Sequence, residues 1–331
     1  MGLAQGKRLE TQVMKLISPV DKLNEVDPLI KAGAGELYGG VMPPDWEKYG
    51  LLASVNQRTF AGAQFESLES FLEGIAASKG SGVPFFLTLN SPFYTDDQHP
   101  LLADLVARAA EAGLAGVILA DPGLLRSLRA DFPRLQFHAS TLAHLGNAGA
   151  VRFYRRLGID RAILPRHLSV EEMARVVAAV PDVGFDAFLL VGKCPNTEGL
   201  CTFHHSSPDK IWPCEIPYKI NVVDGDNSDS IEHVVARQAS WSRSNRRHGC
   251  GLCAIPHLAR AGLTGLKLVG RGAPLAMKLA NLALARDCLD LAAGSDDFSA
   301  YRRQAVAAHA RRFGSPCSPN VCYYPEFYLG E

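Results

Sequence analysis

Cys194, Cys201 and Cys214 share one irregular stretch, "CPNTEGLCTFHHSSPDKIWPC", and Cys250 and Cys253 form a C-x-x-C further on. Thiols grouped this way can bridge one another, hold a metal or serve a redox centre. A chain with a full-sized core has no need of disulfide staples, and in a reducing compartment metal or redox chemistry is the expectation. Zinc sites are usually built from two close pairs, each C-x(2–4)-C. Only Cys250 and Cys253 fit that spacing. Three widely spaced thiols closed by a distant fourth suit the larger body of an iron–sulfur cubane. Zinc and unligated thiols remain the alternatives. Cys288, within the amphipathic run "NLALARDCLDLAAG", reads as a core thiol.

A second set of residues could bind an anion. Arg166, Lys267 and Arg271 stand in or just after strand-like runs, and His138 and Ser140 end another, with Asn147 opening the helix that follows. Arginine offers a bidentate fork to a carboxylate. Lys267 alternates with Leu266 and Leu268, so it should face inward, where an unpaired charge is costly. It therefore needs an anionic partner, either a ligand or Glu36. Three cations on one rim predict an anionic small-molecule substrate or donor. At a barrel mouth His138, Ser140 and Asn147 could bind substrate, and His138 also has a plainer reading as a backbone cap. The run Arg243, Arg246, Arg247 and His248 is charged enough to touch RNA phosphate, although such runs are more often solvated loops.

The elements that must position these groups recur with a rhythm. Strand-length apolar runs, "VMKLISPV", "GELYGG", "VPFFLTLN", "AGVILA", "LQFHAS", "RAILP", "GFDAFLLVG" and "TGLKLVG", alternate with helical segments such as "SVEEMARVVAAV". Eight such units predict an α/β fold of the closed (β/α)8 TIM-barrel type over residues 1–291. A doubly wound open sheet is the competitor, but no phosphate-cradling glycine loop follows the first strand. Residues 192–251 form a cysteine-bearing insertion leaving the C-terminal end of strand seven, the face on which barrel enzymes build active sites. Residues 292–331 read as a helix followed by an aromatic, Cys-containing tail docked on the barrel.

Composition narrows the function classes. The 331 residues are 47% apolar and 21% charged, with formal net charge +0, so the chain has no general attraction for nucleic acid or anionic membrane. No apolar run is long enough to span a bilayer. The first twenty residues read without a signal peptide, which points to the cytoplasm. H-E-x-x-H, G-x-S-x-G and a papain-like cysteine context are all missing, so a peptidase reading has no residues to stand on.

The segment "DAFLLVGKCPNTEGLCTF" resembles the signature of the peptidase U32 family, E-x-F-x(2)-G-small-aliphatic-C-x(4)-G-x-C-x-aliphatic-S. Phe188, Cys194, Gly199 and Cys201 fall on it, with Asp186 for Glu and Gly192 at the small position. Val191, Lys193, Phe203 and His204 depart from it. "ADPGLLRSL", "FHASTLAHLGNAGAVRFYRRLGIDRAILPRHLSVEEM" and "LTGLKLVGRG" also resemble U32 segments, in the same order. The resemblance implies a barrel-like α/β domain. It also implies chemistry like that of ubiquinone-biosynthesis subunits and RNA-base hydroxylases that work without molecular oxygen, some with prephenate as oxygen donor. It implies a 4Fe–4S cluster on Cys194, Cys201, Cys214 and Cys253, with Cys250 as rival for the fourth place. A non-catalytic subunit partnering another U32-like protein is the alternative function.

Overall fold

The computed structural model describes residues 14–49, 54–58, 62–192, 194, 198–200, 249–318 and 321–328, with Glu232 and Val235. Eight strands pair in chain order: β1 (Lys15–Pro19), β2 (Glu36–Gly39), β3 (Phe85–Leu89), β4 (Gly116–Leu119), β5 (Gln136–Ala139), β6 (Arg161–Ile163), β7 (Gly184–Leu190) and β8 (Gly265–Leu268). Every pairing is parallel, and β8 closes on β1 into a barrel. The closed barrel is the fold that the alternation predicts, and the open sheet is excluded.

Parallel strands covered by helices outside and side chains inside are buried on both faces, so they read as apolar runs rather than alternations. All five residues of β3 are buried. Burying an aromatic such as Phe85 or Phe86 contributes roughly 2 kcal/mol each. The covering helices are α1 (Val26–Lys31), α2 (Leu68–Gly80), α3 (His99–Ala112), α4 (Pro122–Asp131), α5 (Ala148–Leu157), α6 (Val170–Ala179) and α7 (Ile255–Arg260). Their starts are written in the sequence. Ser169 and Glu172 form a reciprocal capping box on α6, whose buried face is Val170, Met173 and Val176. Asn147, which opens α5 in the sequence, caps it by accepting from Ala150 N.

Two further helices, α8 (Leu275–Ala293) and α9 (Phe298–Phe313), follow the barrel. The tail beyond them is stitched to the end of β7. Cys250 bridges antiparallel to Leu190 and parallel to Cys322. Its N–H donates to Val321 O at 2.8 Å, and its carbonyl accepts from Tyr323 N at 2.8 Å. The Tyr323 and Tyr324 hydroxyls donate to Gly192 O and Phe188 O, both at 2.9 Å. Glycine is required beneath them: a Cβ on Gly249 would stand 2.4 Å from the Tyr323 ring, and one on Gly251 2.6 Å from Tyr324.

Candidate active site at the barrel mouth

The lower lumen holds a knot of charge. Glu36 of β2 takes both guanidinium arms of Arg161 at 2.6 and 2.9 Å, and Lys15 at 3.1 Å. Arg161 also reaches Asp186 of β7 at 3.5 Å. The other oxygen of Asp186, Oδ1, is buried without a hydrogen-bond partner among the described residues. Burial raises the Asp186 carboxyl to about 6 against the pull of Arg161. His138 joins this layer instead of the rim: its ring lies tilted against Phe86, centres 4.2 Å apart, and its Nε2 lies 3.2 Å from Gln136 Oε1. Burial, then the charges of Arg161 and Lys267, pushes the imidazole well below its ordinary value, so it stays neutral.

Lys267 of β8 sits just above. Register places it beside Ile17 of β1, itself paired with Glu36, and beside Phe188 of β7. Its ammonium lies 3.4 Å from the centre of the Tyr38 ring, and among the described residues it makes no hydrogen bond or ion pair with any side chain. Glu36, the internal partner that the sequence offered, is taken by Arg161 and Lys15. Burial lowers the amine to about 7, with Asp186 and Glu36 opposing and Arg161 and Arg271 assisting.

Arg271 is the opposite case. Its Nη1 donates to Asn56 Oδ1 at 3.0 Å and Thr88 Oγ1 at 2.9 Å, its Nη2 to Gln64 Oε1 at 2.7 Å and to Ala63 O, and its Nε to Ala63 O at 3.0 Å. These bonds occupy all five guanidinium donors. Asp21 stands 3.4 Å from Nε and also receives Lys278 and Gly272 N, each at 2.6 Å. Arg271 therefore fastens the β2–α2 connection over the mouth and keeps no donor for a carboxylate. Arg166, after β6, is also engaged. It pairs with Glu198, whose Oε2 accepts from Arg166 N at 2.8 Å and Thr141 Oγ1 at 3.0 Å, and it lies 3.5 Å over the Phe188 ring. The rim of three open cations expected from sequence is thus one open cation, Lys267, one saturated cation, Arg271, and one paired cation, Arg166, whose Nε is buried without a hydrogen-bond partner among the described residues.

Sequence reasoning passed over Tyr38, Asn56, Gln64, Thr88 and Glu198. The length of the β2–α2 connection, residues 40–67, was the available signal, because long connections at this face carry function.

The thiols are placed only in part, since Cys201 and Cys214 lie outside the described residues, as do Arg243, Arg246, Arg247 and His248. Cys194 follows β7 and is half-buried, without a disulfide. Cys253 is half-buried and Cys250 buried; the tail brings Cys317 and Cys322 close enough to raise both electrostatically, after burial itself. Among the described residues no three ligating side chains surround a common metal position.

A model of peptidase family U32 matches residues 21–320. The chain belongs to family U32. Relatives within it include tRNA hydroxylation protein P1 of Bacillus subtilis (strain 168), 25% identical over 81% of this chain and 61% of its own length. Another is tRNA hydroxylation protein P of Escherichia coli (strain K12), 27% identical over 56% of this chain and 38% of its own. A collagenase of Porphyromonas gingivalis is 25% identical over 49% of this chain and 35% of its own. The chain thus spans less than two thirds of the length of these curated relatives. The solved structure of a U32 peptidase shares the fold, with TM-score 0.52 at 12% identity over 82% of this chain and 98% of that one.

Proposed function

We propose that this U32 chain is an iron–sulfur protein of the hydroxylase type. It works without molecular oxygen on a nucleobase-containing or small substrate, with an anionic donor of the prephenate kind held at the barrel mouth. The observation that carries this reading is the likeness to relatives named for tRNA hydroxylation and for 23S rRNA 5-hydroxycytidine synthesis. RNA is accordingly a candidate substrate.

Cys194, Cys201, Cys214 and Cys253 would hold the cluster, with Cys250 as rival for the last place and zinc as the alternative metal. The described members of that set fit a soft metal: Cys194 and Cys253 are half-buried thiols outside any disulfide, and the metal-free Cys253 thiol is pushed up to about 12, where only a bound cation would keep it ionised. A cluster bound there supplies a one-electron redox centre. The chain's own part is to seat the donor against Lys267 and Tyr38, with Arg166 holding Glu198 in place beside them and Arg271 closing the β2–α2 connection above.

A non-catalytic role beside another U32 protein is favoured by one observation, the neutralisation of Arg166 and Arg271 by internal partners. Two measurements separate the readings. Protein prepared anaerobically should carry about four irons and four sulfides, and a strain lacking the gene should lose a hydroxylated nucleoside that wild-type chain restores. Stoichiometric zinc would overturn the cluster. Restoration by a Cys194→Ala variant that has lost its iron would overturn its catalytic use.

A further inference from the structure

Most buried cations in this protein have obvious partners; Lys267 does not. Among the described residues its three N–H donors meet no acceptor, and the π-face of Tyr38 lies 3.4 Å away. The two strand neighbours on either side, Leu266 and Leu268, are 0% and 2% exposed against the helices, whereas Lys267 keeps 7%. By strand alternation that residual surface lies inside the barrel. An ammonium so placed costs stability unless a ligand completes it, or unless it sheds its proton.

We propose that Lys267 is a carbonyl-capturing amine that condenses with the keto group of a 2-oxo acid to form an imine in the barrel lumen. The proposal names the chemical class of the anionic ligand in the function read above, and it rests on that reading for the ligand's presence at the mouth. The lone pair of the neutral amine attacks the carbonyl carbon, and the carbonyl oxygen takes a proton. The C–O bond then breaks and the oxygen leaves as water, while nitrogen gives up its remaining protons but for the one an iminium retains. Amine and ketone go to imine and water, with no oxidant or reductant required.

The surroundings suit each part of that sequence. The walls beside the amine are Phe188, Ile17 and the Tyr38 ring, which exclude bulk water. Asp186, one step lower on the β7–β8 register, carries a buried oxygen with no partner, the group best placed to pass protons to and from a departing hydroxyl. Its carboxyl is raised to about 6, so both protonation states are accessible near neutrality. The groups facing the amine are Asp186, Glu36, Arg161 and Arg271, and their balance with burial leaves it at about 7. At neutral pH an amine lowered that far has a neutral fraction on the order of a thousandfold above that of an ordinary lysine.

The test uses the whole wild-type chain. It is incubated at pH 7 with sodium pyruvate and sodium cyanoborohydride, then analysed by intact mass and peptide mapping, with a parallel melting curve in pyruvate alone. The expected result is one reduced pyruvyl adduct, located on Lys267 in preference to every exposed lysine and absent from Lys267→Arg. A pyruvate-dependent rise in melting temperature with no adduct, or adduct spread evenly over surface lysines, overturns the imine while leaving the anion site standing. Neither adduct nor thermal shift overturns both.

Discussion

Lys267 and Arg271 lie four positions apart, one inside β8 and one just after it, and both are buried; their environments could hardly differ more. Around Arg271 the chain has assembled Asn56, Gln64, Thr88 and the Ala63 carbonyl so that every donor is met, with Asp21 balancing the charge. Around Lys267 it has supplied an aromatic face and, among the described residues, nothing that accepts a hydrogen bond from it. A saturated cation is part of the scaffold, because a ligand could reach it only by displacing bonds already made. An unsaturated one keeps its donors for whatever comes within reach. Cationic side chains near a barrel mouth are therefore not interchangeable evidence for an anion site.

Removing each charge should give opposite signs. Arg271→Ala removes five hydrogen bonds and the charge facing Asp21 from a buried clamp, leaving the Ala63 carbonyl without its donors, and should destabilise by about 3–5 kcal/mol, read from urea denaturation. Stability close to wild type would mean that the clamp contributes little and that Arg271 is free for other work. Lys267→Met removes a buried amine without partners at similar volume, and should be neutral or stabilising by on the order of 1 kcal/mol at pH 7. That difference depends on pH in a fixed direction. Between about 7 and the unfolded value near 10.4, the native Lys267 binds fewer protons than the unfolded chain, so wild-type stability climbs with pH across the window. The advantage of Lys267→Met should shrink accordingly between pH 7 and 10, and a flat difference would show that the amine is not depressed. As the smallest effect, Arg175→Ala breaks an exposed i,i+4 pair with Glu171 and should change stability by less than about 0.5 kcal/mol, in the same denaturation assay.

The barrel itself was legible because its signals are local. Strands buried on both faces must be apolar, and the helices between them carry their own starts, such as Asp121 before Pro122 and Ser169 before Glu172. The charged residues at the mouth were legible as residues but not as roles. Whether an arginine is open or already engaged depends on groups remote in sequence: Asn56 and Gln64, in an irregular connection with no period to read, and Glu198, inside the cysteine-bearing insertion. His138 was misplaced for a related reason. A residue near the end of a strand faces the lumen or the outside by alternation, and its inward position put it against Gln136 and Phe86 below the rim. Lys267 was read correctly as inward-facing, but its expected internal partner, Glu36, is already held by Arg161 and Lys15.

The measurement that bears most directly on the site is the melting temperature of cluster-loaded protein with and without prephenate, compared across wild type, Lys267→Met and Arg271→Lys. A ligand bound only by the folded state raises stability by RT ln(1 + [L]/Kd), about 2.7 kcal/mol at a hundredfold excess over Kd. A shift should appear in wild type, persist in whatever fraction of Arg271→Lys is folded, and vanish in Lys267→Met. A shift of full size in Lys267→Met would contradict the assignment of Lys267 as the cation that meets the ligand.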